Sequence, residues 1–379
     1  MRVGLNLLHL VPGETGGSEL YVRRLIPALL AHRDDLRLTL FAAREALESL
    51  HEEDWGSDAE IVQVRVSARS RPRRVLAEQL LLPGAVRKAR LDLLHNAFTT
   101  APAIPGVPQV TTILDVIYKR FPDTHAGLFR YGMAVLVPLA ARRSRRILTL
   151  SEAAKEDIVR FLEVDPERID VTPLGPALPQ ATAPVNETEI RKRFQLGDSP
   201  LILTVSAKRP HKNLKRLIDA VTRLEGAEPV LLVPGYATPF EEEMRAWSAS
   251  LPRGERIRFT GWVDDATLEG LYEAATCFVF PSLAEGFGLP VLDAFVRAVP
   301  VACSNTSSLP EIAGDAALYF DPTDVDSIAG AMQRLLGGGE LRRSLAKRGI
   351  EQAHMFTWER TAARTRESYD RALDGRSGG

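Results

Sequence analysis

Two short stretches of this sequence gather charged side chains where anions and hydroxyls could be bound. The first is Ser206-Ala207-Lys208-Arg209-Pro210-His211-Lys212-Asn213-Leu214. It follows an apolar run and opens an amphipathic one, so Lys208, Arg209 and Lys212 fall at a helix start. A helix N-terminus already favours negative charge, and cations there oppose the dipole. A bound diphosphate satisfies both. The second is Phe280-Pro281-Ser282-Leu283-Ala284-Glu285-Gly286-Phe287-Gly288-Leu289-Pro290-Val291-Leu292-Asp293. A strand ends, a glycine-bearing turn follows, and a helix begins near Pro290. Glu285 stands in the turn and Asp293 lies about one helical turn inside. Carboxylates so placed can accept hydrogen bonds from several hydroxyls of a sugar or ribose, while N–H groups of the turn meet phosphate. Val291 takes the place of the third glycine of a dinucleotide loop, and an acid before the glycines suits polyol recognition better.

Weaker signals lie elsewhere. Gly13-Glu14-Thr15-Gly16-Gly17-Ser18-Glu19 follows the first strand and opens a helix, which fits either a tight turn or a loop that approaches an anion. Arg69, Arg71, Arg73 and Arg74 form one basic cluster, and Arg142, Arg143, Arg145 and Arg146 another. Such runs are usually solvated faces; the alternative is contact with anionic lipid or a lipid-phosphate acceptor. His9, His95, His125 and His211 lack metal-ligand spacing, and no Asp-x-Asp pair stands at a strand end. No metal is expected. No Gly-x-Ser-x-Gly elbow or Walker loop is present.

The elements that must position these groups alternate between strand and helix. Strand-like runs are Val3–Leu10, Leu36–Phe41, Ile61–Val66, Asp92–Asn96, Gln109–Leu114 and Ile147–Leu150. Helix-period stretches such as Glu19–Ala31 and Ser151–Leu162 separate them, the latter with Ser151 placed as its cap. A proline-rich stretch, Val171 to Glu187, reads as a linker. The alternation then restarts at Leu201–Ser206, Pro229–Val233, Arg256–Phe259, Thr276–Pro281, Pro300–Cys303 and Ala317–Phe320. This pattern predicts two doubly wound parallel sheets of Rossmann type, with ligands beyond the carboxyl ends of the strands and the active site in the cleft between domains. The expected domains are 1–172, 173–356 and a C-terminal helix, 357–379, crossing back to the first.

Composition agrees with that class. The 379 residues are 45% hydrophobic and 26% charged, which excludes a disordered chain or a disulfide scaffold. The net charge of −1 offers no overall field for nucleic acid. Cys277 and Cys303 sit in apolar runs and suit a reducing cytosol. The first residues read as a strand, not a signal peptide, and no apolar run is long enough to span a bilayer. A cytoplasmic protein is expected, with peripheral membrane contact as the reading that the basic clusters leave open.

The motifs together resemble retaining glycosyltransferases of family 4, which have the GT-B fold. The resemblance covers nearly the whole chain. Gly16-Gly17 matches the family's first glycine loop. Glu78-Gln79-Leu80-Leu81-Leu82-Pro83, Asp92-Leu93-Leu94-His95 and Phe121-Pro122 resemble the bacterial polysaccharide mannosyltransferase-like branch. Arg209-Pro210-His211-Lys212-Asn213 matches the donor-phosphate motif. Phe259-Thr260-Gly261-Trp262-Val263 matches the segment near the nucleotide base, and Glu285 to Asp293 the paired-acid signature, followed by Ser307-Ser308-Leu309-Pro310-Glu311. The resemblance implies an acceptor-binding N-terminal domain and a C-terminal domain that binds a nucleotide-sugar. Arg209 and Lys212 would neutralise the diphosphate, Glu285 would hold sugar hydroxyls, and Asp293 the ribose. The amides of Phe287, Gly288 and Leu289 would touch phosphate and sugar. Catalysis would then rest on leaving-group stabilisation without a metal or other cofactor. The donor implied is GDP-mannose, with a 6-deoxyhexose nucleotide favoured beside it by the departure at Leu114, and the acceptor is a glycan, glycolipid or small molecule.

Two positions depart from the family pattern. Asp293 stands where the second acid is usually Glu, and Leu114-Asp115 where the family has His-Asp facing the transferred sugar. The second departure favours a 6-deoxyhexose or a pentose where Leu114 faces the sugar; the equal alternative puts Leu114 in the core and His9 or His125 against the sugar. Two other readings stand beside the transferase: a nucleotide-sugar epimerase on the same fold, and a catalytically weak scaffold of a glycan-assembly complex, the latter made plausible by Leu114.

Overall fold

The structure is a computed structural model that describes residues 1–14, 16–32, 35–53, 55, 58–121, 128–177, 183–226 and 228–374. Pro122, His125 and Pro179 lie outside the described residues. The chain divides into two compact units, Met1–Gly175 with Thr357–Gly379, and Pro176–Phe356.

The first unit is built on seven parallel strands: β1 (Arg2–Leu7), β2 (Arg37–Ala42), β3 (Ala59–Gln63), β4 (Leu93–Asn96), β5 (Gln109–Thr112), β6 (Arg146–Thr149) and β7 (Ile169–Val171). Their order across the sheet is β3-β2-β1-β4-β5-β6-β7. The second unit has six: β8 (Leu201–Leu203), β9 (Val230–Pro234), β10 (Ile257–Gly261), β11 (Cys277–Phe280), β12 (Val301–Ser304) and β13 (Ala317–Phe320). Their order is β10-β9-β8-β11-β12-β13. The two expected doubly wound sheets are thus present, all parallel. Helices cover both faces, so central strands such as β4, β9 and β11 are buried along their length. The sequence missed β7, which is only three residues long and runs straight into the proline-rich stretch.

Each sheet has one place where the strand order reverses. In the first unit it lies between β1 and β4, and in the second between β8 and β11. Loops that leave neighbouring strands in opposite directions open a crevice there, the favoured ligand position in such sheets.

Local sequence fixes the helices around these points. Ser151 accepts the Ala154 N–H at 3.0 Å and caps helix Glu152–Leu162. No helix among the described residues is long and apolar enough to cross a membrane.

The helix Trp358–Asp374 completes the first unit. It packs along helix Gly17–His32 and against β6. Gly175 precedes the break between units, and a Cβ there would lie 2.5 Å from the Trp358 ring. Tyr369 projects into the sheet, where its hydroxyl lies 2.7 Å from His95 Nδ1, and Thr112 Oγ1 lies 2.7 Å from His95 Nε2. His95 belongs to the core: it is fully buried, and burial lowers its pKa to about 3.

That shift has a measurable sign. The unfolded chain protonates this histidine below its ordinary pKa of about 6.5, whereas the folded chain resists until about 3. Stability contributed by the neutral ring is complete above that window and declines as pH falls through it, by about 1.4 kcal/mol per pH unit. Urea titrations from neutral to mildly acidic pH should show a steeper decline for the wild type than for His95→Gln. Parallel pH dependences would remove His95 as the source.

Candidate active site

The crevice of the second unit contains both stretches singled out by their charges. The loop after β8 carries Arg209 and Lys212, and the loop after β11 carries Glu285. Lys212 Nζ meets Glu285 Oε1 at 2.6 Å, with the two side chains 17% and 11% exposed. The ammonium also lies 5.3 Å from the centre of the Phe280 ring. Main-chain bonds hold the loops together: Leu283 N–H donates to the His211 carbonyl at 2.8 Å. Asn213, at φ +57°, donates through Nδ2 to the carbonyls of Pro281 (3.0 Å) and Pro322 (2.7 Å). A left-handed residue with a short amide side chain turns the chain into helix Leu214–Thr222 and ties its loop to those after β11 and β13.

The Glu285 turn is strapped from the loop after β12. Ser307 Oγ accepts the Glu285 N–H at 3.0 Å and donates to the Glu285 carbonyl at 2.8 Å. Ser308 Oγ donates to the Glu285 and Phe287 carbonyls at 3.1 and 2.6 Å. Phe287 is buried edge-on against Phe356, with ring centroids 5.8 Å apart. Gly288, at φ +118°, is the N-cap of helix Leu289–Val296. A Cβ there would lie 2.8 Å from Leu309. With no capping side chain, the Leu289 N–H at the start of this helix is suited to an anion; Pro290 has no N–H, and Val291 N–H donates to the Gly288 carbonyl at 2.9 Å.

Asp293 lies one turn further in, 5% exposed, and its Oδ1 accepts the Ala177 N–H at 2.8 Å. Arg297 Nη1 donates to the Asp293 carbonyl at 2.9 Å. The paired-acid signature therefore separates into a carboxylate in the crevice and one that also anchors the chain entering this unit.

Lys208 is corrected by the structure. The sequence groups it with Arg209 and Lys212 as a phosphate-facing cation, but its side chain is fully buried. Its Nζ donates to the Gly235 carbonyl at 2.6 Å and lies 3.6 Å from Glu241 Oε2. Desolvation lowers its pKa to about 8, against the support of Glu241. Gly235 N–H in turn donates to the Gly261 carbonyl at 2.9 Å. Lys208 thus ties the loops after β8, β9 and β10 in series. Two cations remain for a ligand, and Arg209 is exposed with no ion-pair partner among the described residues. Val263 is half-buried beyond β10, beside Trp262, which is 62% exposed. No bond joins Val263 to Glu285 or Lys212 among the described residues.

The crevice of the first unit opens on a cavity of about 1130 Å³ whose lining includes His9, Arg69, Arg71, Arg74, Phe98 and Met133. Gly16 and Gly17 are exposed at the start of helix Gly17–His32, and only Gly16 needs its glycine, at φ +61°. His9 stacks on Phe98 with ring centroids 5.9 Å apart. Behind it Glu78 is fully buried and accepts from Asn6 Nδ2 at 2.9 Å and from the Thr100 hydroxyl at 2.9 Å. Burial opposes its charge, but His9, Asn6 and Thr100 together hold its carboxyl below the usual range. Thr100 Oγ1 lies 3.0 Å from His9 Nε2. Since the Thr100 proton points at Glu78, its oxygen can only accept from His9, which places the imidazole proton on Nε2. In the neutral form of the ring, Nδ1 then carries the lone pair. Sequence reasoning met His9 and Glu78 separately; their partnership spans the loop after β1 and a helix 72 residues away, measured from Asn6 to Glu78. Leu114 is half-buried just beyond β5.

No group of three or more His, Cys, Asp or Glu side chains among the described residues is arranged to hold a metal ion.

Comparison with known proteins identifies relatives of both units. The model described as Glycosyltransferase Family 4 matches residues 15–176, and Glycosyl transferases group 1 matches residues 186–352. The O-antigen chain mannosyltransferase B of Escherichia coli is 34% identical over 270 residues, 69% of this chain and 69% of that protein. Serotype-specific mannosyltransferase WbdA of Escherichia coli is 31% identical over 242 residues, 61% of this chain but only 29% of WbdA. Among solved structures, Anabaena HepE in complex with UDP and glucose superposes with a TM-score of 0.75 at 18% identity, covering 98% of this chain and 99% of that one. At that identity the likeness is one of fold.

Proposed function

The chain belongs to glycosyltransferase family 4, and from that premise we propose that it transfers mannose, with retention, from GDP-mannose to a growing glycan or lipid-linked acceptor. The observation that carries this reading is the Lys212–Glu285 pair, set at the strand-order reversal beside a helix N-terminus capped by Gly288. A cation for the diphosphate, a carboxylate for sugar hydroxyls and amides for the phosphate meet within one crevice. Arg209 and Lys212 take the neutralising role that a divalent ion would otherwise fill. Val263 borders the base, Asp293 serves the ribose, and the amides of Phe287, Gly288 and Leu289 face phosphate and sugar. The names of the E. coli relatives favour mannose.

The acceptor enters the first unit, where Gly16-Gly17 and the His9 cavity lie. His9 Nδ1 accepts a hydrogen bond from the acceptor hydroxyl, with Thr100 and Glu78 fixing the tautomer.

A donor panel assayed in EDTA tests this reading. GDP-mannose should release GDP slowly alone and faster with a mannose-terminated acceptor, and kcat/KM should exceed that for GDP-rhamnose. The opposite preference, relaxed by Leu114→His, would instead assign a 6-deoxy sugar, since leucine offers a hydroxyl no partner. An isomerised donor without transfer would make the protein an epimerase, and no turnover of any donor would make it a scaffold.

A further inference from the structure

Lys208 and Arg209 are neighbours in the loop after β8 with opposite environments: Arg209 is exposed and Lys208 is fully buried. Two routes lead from Lys208 to the end of β10. In the first, Nζ donates to the Gly235 carbonyl, and the Gly235 N–H donates to the Gly261 carbonyl at 2.9 Å. In the second, Nζ lies 3.6 Å from Glu241 on helix Pro239–Ala249. Glu241 Oε1 accepts from Arg245 Nη2 at 2.7 Å, and Arg245 Nη2 also donates to the Phe259 carbonyl at 2.9 Å. The main chain is tied as well, since the Thr238 hydroxyl donates to the Lys208 carbonyl. The loops after β8 and β9 meet backbone to backbone: a Cβ on Gly235, at φ +129°, would collide with the Ser206 carbonyl oxygen.

A buried ammonium costs free energy that an apolar side chain of similar length would not. Here it joins the loop that carries Arg209 to the segment Phe259–Val263. We propose that Lys208 is a positioning residue for the donor nucleotide: its ammonium fixes the separation between the cation for the diphosphate and the border of the base, so that one ligand engages both at once. The proposal rests on the reading that Val263 borders the base. A frame held at the ligand's own span makes the second contact intramolecular, and slack in that frame forfeits part of the gain. Burial lowers the pKa of the ammonium to about 8. Of the charged groups that face it, Glu241 favours the ammonium and Arg245 opposes it, both from helix Pro239–Ala249, while the loop after β9 presents the uncharged Gly235 carbonyl. Loss of the proton breaks the second route, because Glu241 Oε2 is buried with no hydrogen bond among the described residues and faces this ammonium. Nucleotide binding therefore weakens as the pH rises through that value.

The test is calorimetric titration of GDP, guanosine and pyrophosphate, without divalent ions, into the wild type and the double variant Lys208→Met with Glu241→Gln, which removes both buried charges. In the variant the affinity for GDP should fall about 10–30-fold, while those for guanosine and for pyrophosphate, each measured alone, stay within about twofold of wild type. The wild type should also bind GDP about 10-fold more weakly at pH 9 than at pH 7, since the charged form is then about a tenth of the population. The variant should lack this dependence. Unchanged GDP affinity in the variant, or losses shared equally by all three ligands, overturns the proposal and leaves Lys208 a core residue. Should the variant fail to fold, the wild-type profile decides alone, and equal affinity at pH 7 and pH 9 overturns the proposal. A wild type that binds GDP no more tightly than pyrophosphate refutes the placement of the base itself; a preference for GDP kept in full by the variant refutes only the role of Lys208.

Discussion

Replacing Glu285 by Gln should lower kcat/KM for the nucleotide-sugar about 100-fold while leaving the melting temperature within a few degrees of wild type. The amide keeps the shape of the side chain and one acceptor oxygen but loses the charge. A hydrogen bond to a charged group contributes about 1.5–3 kcal/mol against about 0.5–1.5 for a neutral one, so two sugar hydroxyls account for about 2–3 kcal/mol. That difference corresponds to roughly two orders of magnitude in rate. The fold should survive because the turn is held by its main chain: Ser307 and Ser308 bind the Glu285 N–H and carbonyl, not its carboxylate. Lys212 can still donate to the amide oxygen. Steady-state kinetics with a thermal melt decides the matter. Unchanged kcat/KM would remove Glu285 from the reacting sugar, and a large fall in melting temperature would make its pair with Lys212 a structural bond.

What the sequence discloses and what it hides divide along a physical line. Alternating apolar runs separated by helix-period stretches identify parallel sheets because burial on both faces forces that pattern, and twelve of the strands can be read that way. β7 escapes, since three residues carry no period. The paired-acid signature is legible because its chemistry is local: turn, glycine and helix start lie within one contiguous stretch. The strand-order reversals are not legible, because order across a sheet is a tertiary property, yet they bring Lys212 to Glu285 across 73 residues. Lys208 misleads for the same reason. Its charge suggests a ligand, but its neighbours Gly235 and Glu241 are distant in sequence and provide the partners that let a lysine be buried. His95 sits inside a family-like motif and proves to be a core residue bonded to Tyr369, 274 positions away. The basic cluster at Arg69 to Arg74 reads as one charge run. Only its helical geometry separates the arginines that border the His9 cavity from Arg73, Leu76 and Leu80 on the outer side.

Lys212→Ala should weaken binding of GDP by about 10–100-fold and leave the affinity for guanosine unchanged, because a charge-assisted contact to phosphate is worth about 1.5–3 kcal/mol. Arg209→Ala should act in the same direction but less, and its effect should shrink in high salt. Arg209 is exposed, whereas Lys212 is only 17% exposed and sits over the Phe280 ring, where screening is weaker. The loss of Lys212 has a second consequence, since it leaves Glu285 without its cation at 2.6 Å. A double-mutant cycle with Glu285→Gln separates the two routes. If Lys212 meets the diphosphate directly, its penalty for GDP persists in the Glu285→Gln background. If it acts only by holding the Glu285 carboxylate, Lys212→Ala alone leaves GDP affinity unchanged and weakens GDP-mannose, and that loss vanishes in the Glu285→Gln background. Calorimetric titration of guanosine, GDP and GDP-mannose into the four proteins reads each case, and equal losses for guanosine and GDP would show that the cation does not recognise phosphate at all.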